Sequence, residues 1–190
     1  MTTCTKPPEA HRHQKPLPVH RLLQWFRQNA RSLPWRETYE PYFVLVSEFM
    51  LQQTQVKTAL PYFRRFLRCF PTLKHLAQAP ESEVLREWSG LGYYRRAKNL
   101  HAAARVIQEH HQGQIPSSPS LLISLPGIGP YTAAAIASIA YGVAAPAIDA
   151  NVERILCRFY GLRLPKTKKD RDGMLALAQK LITRAKNPRA

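Results

Sequence analysis

LPGIG, at residues 125–129, decides the fold of this 190-residue chain, and Asp149 follows its second glycine by twenty residues. Two glycines around one apolar residue predict a tight hairpin whose backbone can approach another molecule closely. Pro130 stands where a helix would begin, and the Ala- and Ile-rich residues 131–141 predict a buried helix behind it. Free amides before a helix N-terminus favour phosphate binding, whereas LPGIG alone is also compatible with an ordinary turn between two helices.

The composition favours a nucleic-acid partner. The chain has 28 Lys and Arg against 12 Asp and Glu, which gives a net charge of +16 and a pI near 10.3. Such an excess favours a polyanion, with nucleic acid ahead of an anionic membrane surface. No segment has the ~20 apolar residues of a membrane span, and no secretory signal is recognisable. Three widely spaced cysteines predict neither a disulfide framework nor a metal cluster, so we expect a reduced, cytoplasmic protein.

Apolar spacing is helical almost throughout the chain, and no useful stretch alternates with the period of a strand. The fold class that this predicts is all-α. Helices are predicted at 19–29, 42–56, 59–70, 72–79, 80–88, 95–110, 117–124, 131–141, 152–160 and 174–185. Residues 1–16 are rich in Pro, His and Lys, so we expect a disordered tail there.

Two carboxyl groups stand in apolar surroundings. Glu48 lies inside the apolar run 42–51, and Asp149 follows the apolar residues 143–148. Burial raises the pKa of a carboxyl, so that it can stay protonated near neutral pH as a general acid must. The structural alternatives are a core acid bonded to backbone for Glu48 and a helix N-cap for Asp149, and a cap is compatible with catalysis.

Together these features predict acid-assisted chemistry on DNA or RNA. Cleavage of an N-glycosidic bond fits, because one carboxyl would protonate the departing base while an ionised one stabilises positive charge on the sugar. A base inside a duplex must first be flipped out, and protein side chains must fill the gap. The amides of Gln52 and Gln53 and the rings of Tyr93 and Tyr94 suit that task.

Five segments of the chain resemble the helix-hairpin-helix (HhH-GPD) DNA glycosylase superfamily, and most closely its MutY-type adenine glycosylases. They are LPWR at 33–36, SEFMLQQTQV at 47–56, GLGYY at 90–94, LPGIGPYT at 125–132 and DANV at 149–152. The second and third are specific to the adenine branch, whereas the hairpin and Asp149 are common to the superfamily. The resemblance implies base-excision repair, in which adenine mispaired with 8-oxoguanine or guanine is hydrolysed from double-stranded DNA to leave an abasic site.

The resemblance also implies the catalytic residues. Glu48 would protonate the adenine ring and Asp149 would stabilise the sugar cation, while Tyr131 and Asn151 support the two carboxyls. Relatives with lyase activity carry a lysine at the position of Tyr131, where it forms a Schiff base with the sugar. A tyrosine there implies a monofunctional hydrolase.

The same resemblance implies the DNA-binding residues. Gln53 and Tyr93 would wedge into the duplex, and the amides of Gly127 and Gly129 would hold a phosphate. The full set is Arg36, Gln52, Gln53, Thr54, Tyr93, Tyr94, Gly127, Gly129 and Thr132.

Two departures from the family pattern leave alternatives open. Ala150 replaces the usual glycine of the adenine branch and is similar to thymine-mismatch (T/G) glycosylases, which makes thymine the second candidate base. The chain also stops before the family's four-cysteine iron–sulfur loop and its 8-oxoguanine-reading domain, so we expect a C-terminally truncated chain with no metal or cofactor of its own. A catalytically impaired DNA-binding fragment is therefore a further alternative.

The resemblance finally implies a domain organisation. A six-helix barrel domain with the hairpin is expected at 33–143, and 17–32 together with 144–190 would form an incomplete second helical domain. We expect a bacterial-type, nucleoid-associated monomer that does not bind membranes.

Overall fold

The structure, a computed structural model, describes residues 16–185, and this part of the chain is helical with no strand. The all-α prediction is confirmed. The expected disordered tail lies outside the described residues except for its last one. The helices are α1 (Val19–Asn29), α2 (Pro34–Glu37), α3 (Pro41–Leu51), α4 (Val56–Cys69), α5 (Leu73–Gln78), α6 (Glu81–Trp88), α7 (Arg95–His110), α8 (Pro119–Ile123), α9 (Pro130–Tyr141), α10 (Ala150–Tyr160) and α11 (Lys168–Arg184).

The main hydrophobic core surrounds α3 and α9, which are the two most apolar helices. Each of them buries eight residues, as expected for a helix that is apolar on all faces. Helix α3 packs against α2, α4, α7 and α9. Edge-to-face aromatic pairs complete this core, with ring centroids 4.9 Å apart for Trp35 and Phe63 and 5.9 Å apart for Phe66 and Trp88. A carboxyl group among the buried residues of α3 is therefore shielded from water.

Local signals set both ends of α9. Gly129 is its N-cap, Pro130 occupies its first turn, and Gly142 ends it in the left-handed conformation at φ 69°. The predicted buried helix at 131–141 is confirmed.

The predicted helix at 42–56 is wrong in its extent. Helix α3 ends at Leu51, and residues 52–55 form a turn in which Gln53 has φ 57°. The cause lies elsewhere in the chain, because Arg96 of α7 donates hydrogen bonds to the carbonyls of Phe49 and Met50 in the last turn of α3. Those carbonyls have no partner within the helix.

A second, smaller core joins α10 and α11 and consists of Leu156, Cys157, Met174 and Ala178. Helix α11 begins at Lys168 rather than at the predicted residue 174, because Thr167 and Asp170 form a capping box. The Leu17 amide reaches this unit by donating to the Tyr160 hydroxyl at 3.1 Å. The expected domain boundaries stay a prediction. None of the described helices is long and apolar enough to cross a membrane.

Candidate active site

Glu48 is a buried acid on α3. Only 8% of this residue is exposed. Burial raises the pKa of Glu48 from 4.5 to about 7, and the Arg36 guanidinium partly opposes that rise. A carboxyl with this pKa holds a proton in a substantial fraction of molecules at neutral pH, which suits a general acid.

Tyr131 is influenced by the charges of both candidate carboxyls. Its pKa is raised to about 12, by burial first and then by the charges of Glu48 and Asp149, while Arg36 opposes these effects. Tyr131 is thus within electrostatic reach of both acids and remains a protonated hydroxyl at neutral pH. The fold therefore brings together four predicted site residues from α2, α3, the start of α9 and the start of α10: Arg36, Glu48, Tyr131 and Asp149.

Asp149 is the N-cap of α10. Its Oδ1 accepts from the amides of Asn151 at 3.0 Å and Val152 at 2.8 Å, and its Oδ2 accepts from the Asn151 side chain at 2.9 Å. The expected apolar setting holds for Glu48 but not for Asp149, which is half-buried and surrounded by N–H donors. The two acids thus occupy unlike environments, an arrangement typical of sites in which one carboxyl donates a proton and the other remains an anion.

The predicted DNA-wedging residues lie on two irregular segments with unusual backbone. Gln53 in the turn at 52–55 has φ 57°, and Tyr93 in the loop at 89–94 has φ 50°. Non-glycine residues rarely adopt this left-handed conformation, and it is concentrated at functional sites. Both side chains are exposed, Tyr93 to 60%. Beside them, Gln52 and Thr54 are half-buried and Tyr94 is exposed.

Arg96 is a residue that the sequence reasoning missed. It is buried at the start of α7 and contacts both irregular segments, through the carbonyl of Gln52 in the turn and the carbonyl of Gly92 in the loop. The sequence contains one indication of this role. Arg96 shares the buried stripe of α7 with Leu100 and Ile107, and a charge on an apolar helix face requires buried partners.

The hairpin presents its two glycines to solvent. Gly127 has φ 74°, and a Cβ there would lie 2.5 Å from the Cβ of Asn99 on α7, so only glycine fits. A Cβ on Gly129 would meet nothing within 4 Å. Thr132 is buried, which leaves its amide in the first turn of α9 as the group able to face a phosphate.

The described residues contain no group of three or more His, Cys, Asp or Glu side chains able to hold a metal ion. Among them are two free cysteines, Cys69 at the surface and Cys157 in the second core. These residues do not fit the four-cysteine ligand set of an iron–sulfur cluster.

Comparison with known sequences finds proteins named adenine DNA glycosylase in several organisms. An adenine DNA glycosylase of Buchnera aphidicola (Acyrthosiphon pisum strain) is 47% identical over 78% of this chain, and those of Mycobacterium tuberculosis and Homo sapiens are both 42% identical, over 82% and 87% of the chain. The matches cover 43%, 53% and 32% of those proteins, so this chain spans about half or less of the length of these relatives.

Solved structures share the fold. A thermostable thymine-DNA glycosylase superimposes with a TM-score of 0.79 at 27% identity, covering 90% of this chain and 81% of that one. Endonuclease III in a non-covalent DNA complex superimposes with a TM-score of 0.71 at 21% identity, covering 86% and 80%. The family model of the HhH-GPD superfamily base excision DNA repair proteins matches residues 46–182, which contain the irregular segments, the hairpin and both carboxyls. The chain therefore belongs to the HhH-GPD superfamily of base excision DNA repair proteins.

Proposed function

We propose that this chain is a DNA glycosylase that hydrolyses the N-glycosidic bond of adenine mispaired with 8-oxoguanine or guanine in duplex DNA. The observation that carries the proposal is a buried Glu48 with a pKa of about 7 and a hydrogen-bonded Asp149, both within electrostatic reach of Tyr131. Sequence identity of 40–47% to several proteins named adenine DNA glycosylase supports adenine as the base.

In the proposed mechanism the two carboxyls act in sequence. Protonated Glu48 donates its proton to a ring nitrogen of the base, which then takes the electron pair of the breaking C–N bond and leaves as a neutral molecule. The Asp149 carboxylate stabilises the positive charge that develops on the sugar. Water adds to the sugar carbon and loses a proton to a carboxylate, which leaves an abasic site. The Tyr131 hydroxyl, which stays protonated and lies within electrostatic reach of both acids, supports the two carboxyls.

The proposed DNA interface has three parts. The amides of Gly127, Gly129 and Thr132 face a phosphate at the positive end of α9. Gln53 and Tyr93 enter the duplex beside the flipped base, where an amide bonds to a base edge and a ring stacks. The net charge of +16 attracts the backbone over longer distances. A nucleoid-associated monomer and the absence of a cofactor in this chain are part of the same proposal.

The decisive experiment compares duplexes that carry A opposite 8-oxoguanine, A opposite G, and T opposite G, each treated with alkali after incubation with the protein. Strand breaks at A support the proposal. Salt-sensitive binding without breaks would instead identify a DNA-binding fragment. Glu48→Gln should bind the duplexes as the wild type does but lose turnover, and full activity in this variant would exclude the mechanism.

Thymine opposite guanine is the second candidate substrate. Ala150 is the residue that favours it, and the thermostable thymine-DNA glycosylase with the same fold adds support. Breaks at T but not at A in the same assay would select this alternative.

Tyr131 makes the proposed enzyme a monofunctional hydrolase. A phenol cannot form the Schiff base that a lysine forms with a sugar aldehyde. Borohydride added during turnover should therefore trap no covalent protein–DNA adduct. Tyr131→Lys is the informative comparison, because a trapped adduct in that variant would show that position 131 faces the sugar.

A further inference from the structure

The first turns of α7 contact three segments of the proposed DNA interface. Arg96 contacts the turn at 52–55 and the loop at 89–94, and Asn99 lies directly beneath Gly127 of the hairpin. The turn and the loop are about forty residues apart in sequence, and Arg96 is the side chain that bonds to both.

The guanidinium of Arg96 donates hydrogen bonds to three backbone carbonyls at the end of α3. Its Nη1 donates to the carbonyls of Phe49 at 3.2 Å, Met50 at 2.8 Å and Gln52. Phe49 and Met50 belong to the last turn of the helix and Gln52 is its C-cap. These carbonyls have no helical partners, and they form the negative end of the helix dipole, so a buried cation stabilises them.

The other side of the same guanidinium holds the loop. Its Nη2 donates to the Gly92 carbonyl at 3.2 Å, and that carbonyl also accepts from the Trp88 indole at 3.0 Å. The guanidinium carbon lies 5.1 Å from the centroid of the Tyr93 ring and 5.6 Å from that of Trp88, within the range of cation–π attraction. Tyr93 is therefore held through both its neighbour's carbonyl and its ring.

Gln53 and Tyr93 need such a restraint. Both have left-handed backbone at φ 57° and 50°, which costs free energy for a residue with a Cβ. Each also projects an exposed side chain that the main core does not hold. Without Arg96, three carbonyls at the end of α3 lose this donor and the Gly92 carbonyl keeps only the Trp88 indole, so both segments can relax independently.

We propose that Arg96 is a positioning residue that holds Gln53 and Tyr93 as one rigid unit, and that this unit is required to engage the target base in duplex DNA. The second half of the inference rests on the proposed function, whereas the first half concerns the free protein. Lysine at this position would keep the charge but not the planar fork that reaches both segments.

The first test measures amide hydrogen exchange in the free protein. Thr54 donates to the Leu51 carbonyl at 3.2 Å and Leu91 to the Trp88 carbonyl at 3.1 Å, so each segment has a protected amide that reports on it. Arg96→Met should accelerate exchange about tenfold or more in both segments, because hydrogen bonds to a charged group are among the stronger ones. Arg96→Lys should give a smaller acceleration.

The control for charge is Arg95→Met, since Arg95 is an exposed neighbour on the same turn of α7. It should leave exchange in both segments unchanged. Unaltered exchange in Arg96→Met, or acceleration of one segment alone, would overturn the rigid unit. Should Arg96→Met fail to fold, Arg96→Lys decides the question by the same two readouts.

The second test uses duplexes with A opposite 8-oxoguanine and a 2-aminopurine beside the target, whose fluorescence rises when the base unstacks. Arg96→Met should bind an undamaged duplex as tightly as Arg95→Met does. Its fluorescence rise should be lost, and its single-turnover excision rate should fall roughly 10–100-fold, since misplacement by about 1 Å has effects of that size. Arg96→Lys should recover part of both signals.

The outcomes separate the two proposals. A wild-type chain that excises no base contradicts the proposed function, and hydrogen exchange still decides whether Arg96 holds the unit. A wild-type chain that excises adenine while Arg96→Met does so at the same rate contradicts the inference alone.

Discussion

Replacing Glu48 by glutamine should stabilise the protein, and the gain should depend on pH. Burial raises the pKa of this carboxyl from 4.5 to about 7. The native state therefore binds more protons than the unfolded state between these two values, and the free energy of unfolding falls as pH rises through this window. Above pH 7 the carboxyl is ionised in both the native and the unfolded state, so the free energy of unfolding falls no further. A shift of this size corresponds to about 3 kcal/mol.

The test is urea unfolding of wild type and Glu48→Gln at pH 5 and pH 8. Most of the window lies between these values, so the stability difference should move by roughly 2–3 kcal/mol in favour of the variant on going to pH 8. Glu109→Gln removes an exposed carboxyl and is the control. Its stability difference from the wild type should move by less than ~0.5 kcal/mol between the same two pH values. An equal Glu48→Gln difference at both pH values would refute the reasoning that burial destabilises the ionised carboxyl.

Three further expectations follow from the same geometry. Excision by the wild type should decline above pH 7, as Glu48 loses the proton that it donates, and a rate that rises steadily to pH 9 would contradict this role. Asp149→Ala should lower the free energy of unfolding, measured in urea, by about 1 kcal/mol because the helix loses its cap. Asp149→Asn should retain most of the stabilisation that the cap provides, since asparagine also caps helices. Gly127→Ala should cost about 2–4 kcal/mol because of its positive φ and the contact with Asn99, whereas Gly129→Ala, with open space at its Cβ, should cost less than ~1 kcal/mol by the same measurement.

Helices whose ends depend on local chemistry were predictable. The bounds predicted for α1 and α7 match the structure, because apolar periodicity reaches the last turn of each helix and stops there. The early start of α11 is also encoded locally, by the capping box of Thr167 and Asp170 three residues apart.

The end of α3 was not predictable in this way. The polar residues 52–55 contain no glycine or proline that would stop a helix, yet the helix stops at Leu51 because a side chain more than forty residues away binds its last carbonyls. Periodicity indicates which face of a segment is apolar. It does not indicate which distant side chain will donate hydrogen bonds to the last carbonyls of the helix.

By itself the sequence determined the all-α class, the hairpin, the buried helix behind it and the cap at Asp149. Each of these depends on interactions that span a few residues, namely a glycine's φ, a proline in a first turn, or a carboxylate that accepts the next amides. Its motifs also pointed to the family that the comparisons establish.

Only the tertiary structure decided how the two carboxyls differ and what holds the segments around them. Glu48 and Asp149 both follow apolar residues in sequence, but packing of α3 on every side desolvates Glu48 while Asp149 stays half-buried among N–H donors. The position of Arg96 between α3 and the loop at 89–94 likewise exists only in the folded chain. Desolvation and buried hydrogen bonds depend on contacts between distant residues, and a linear pattern does not contain those contacts.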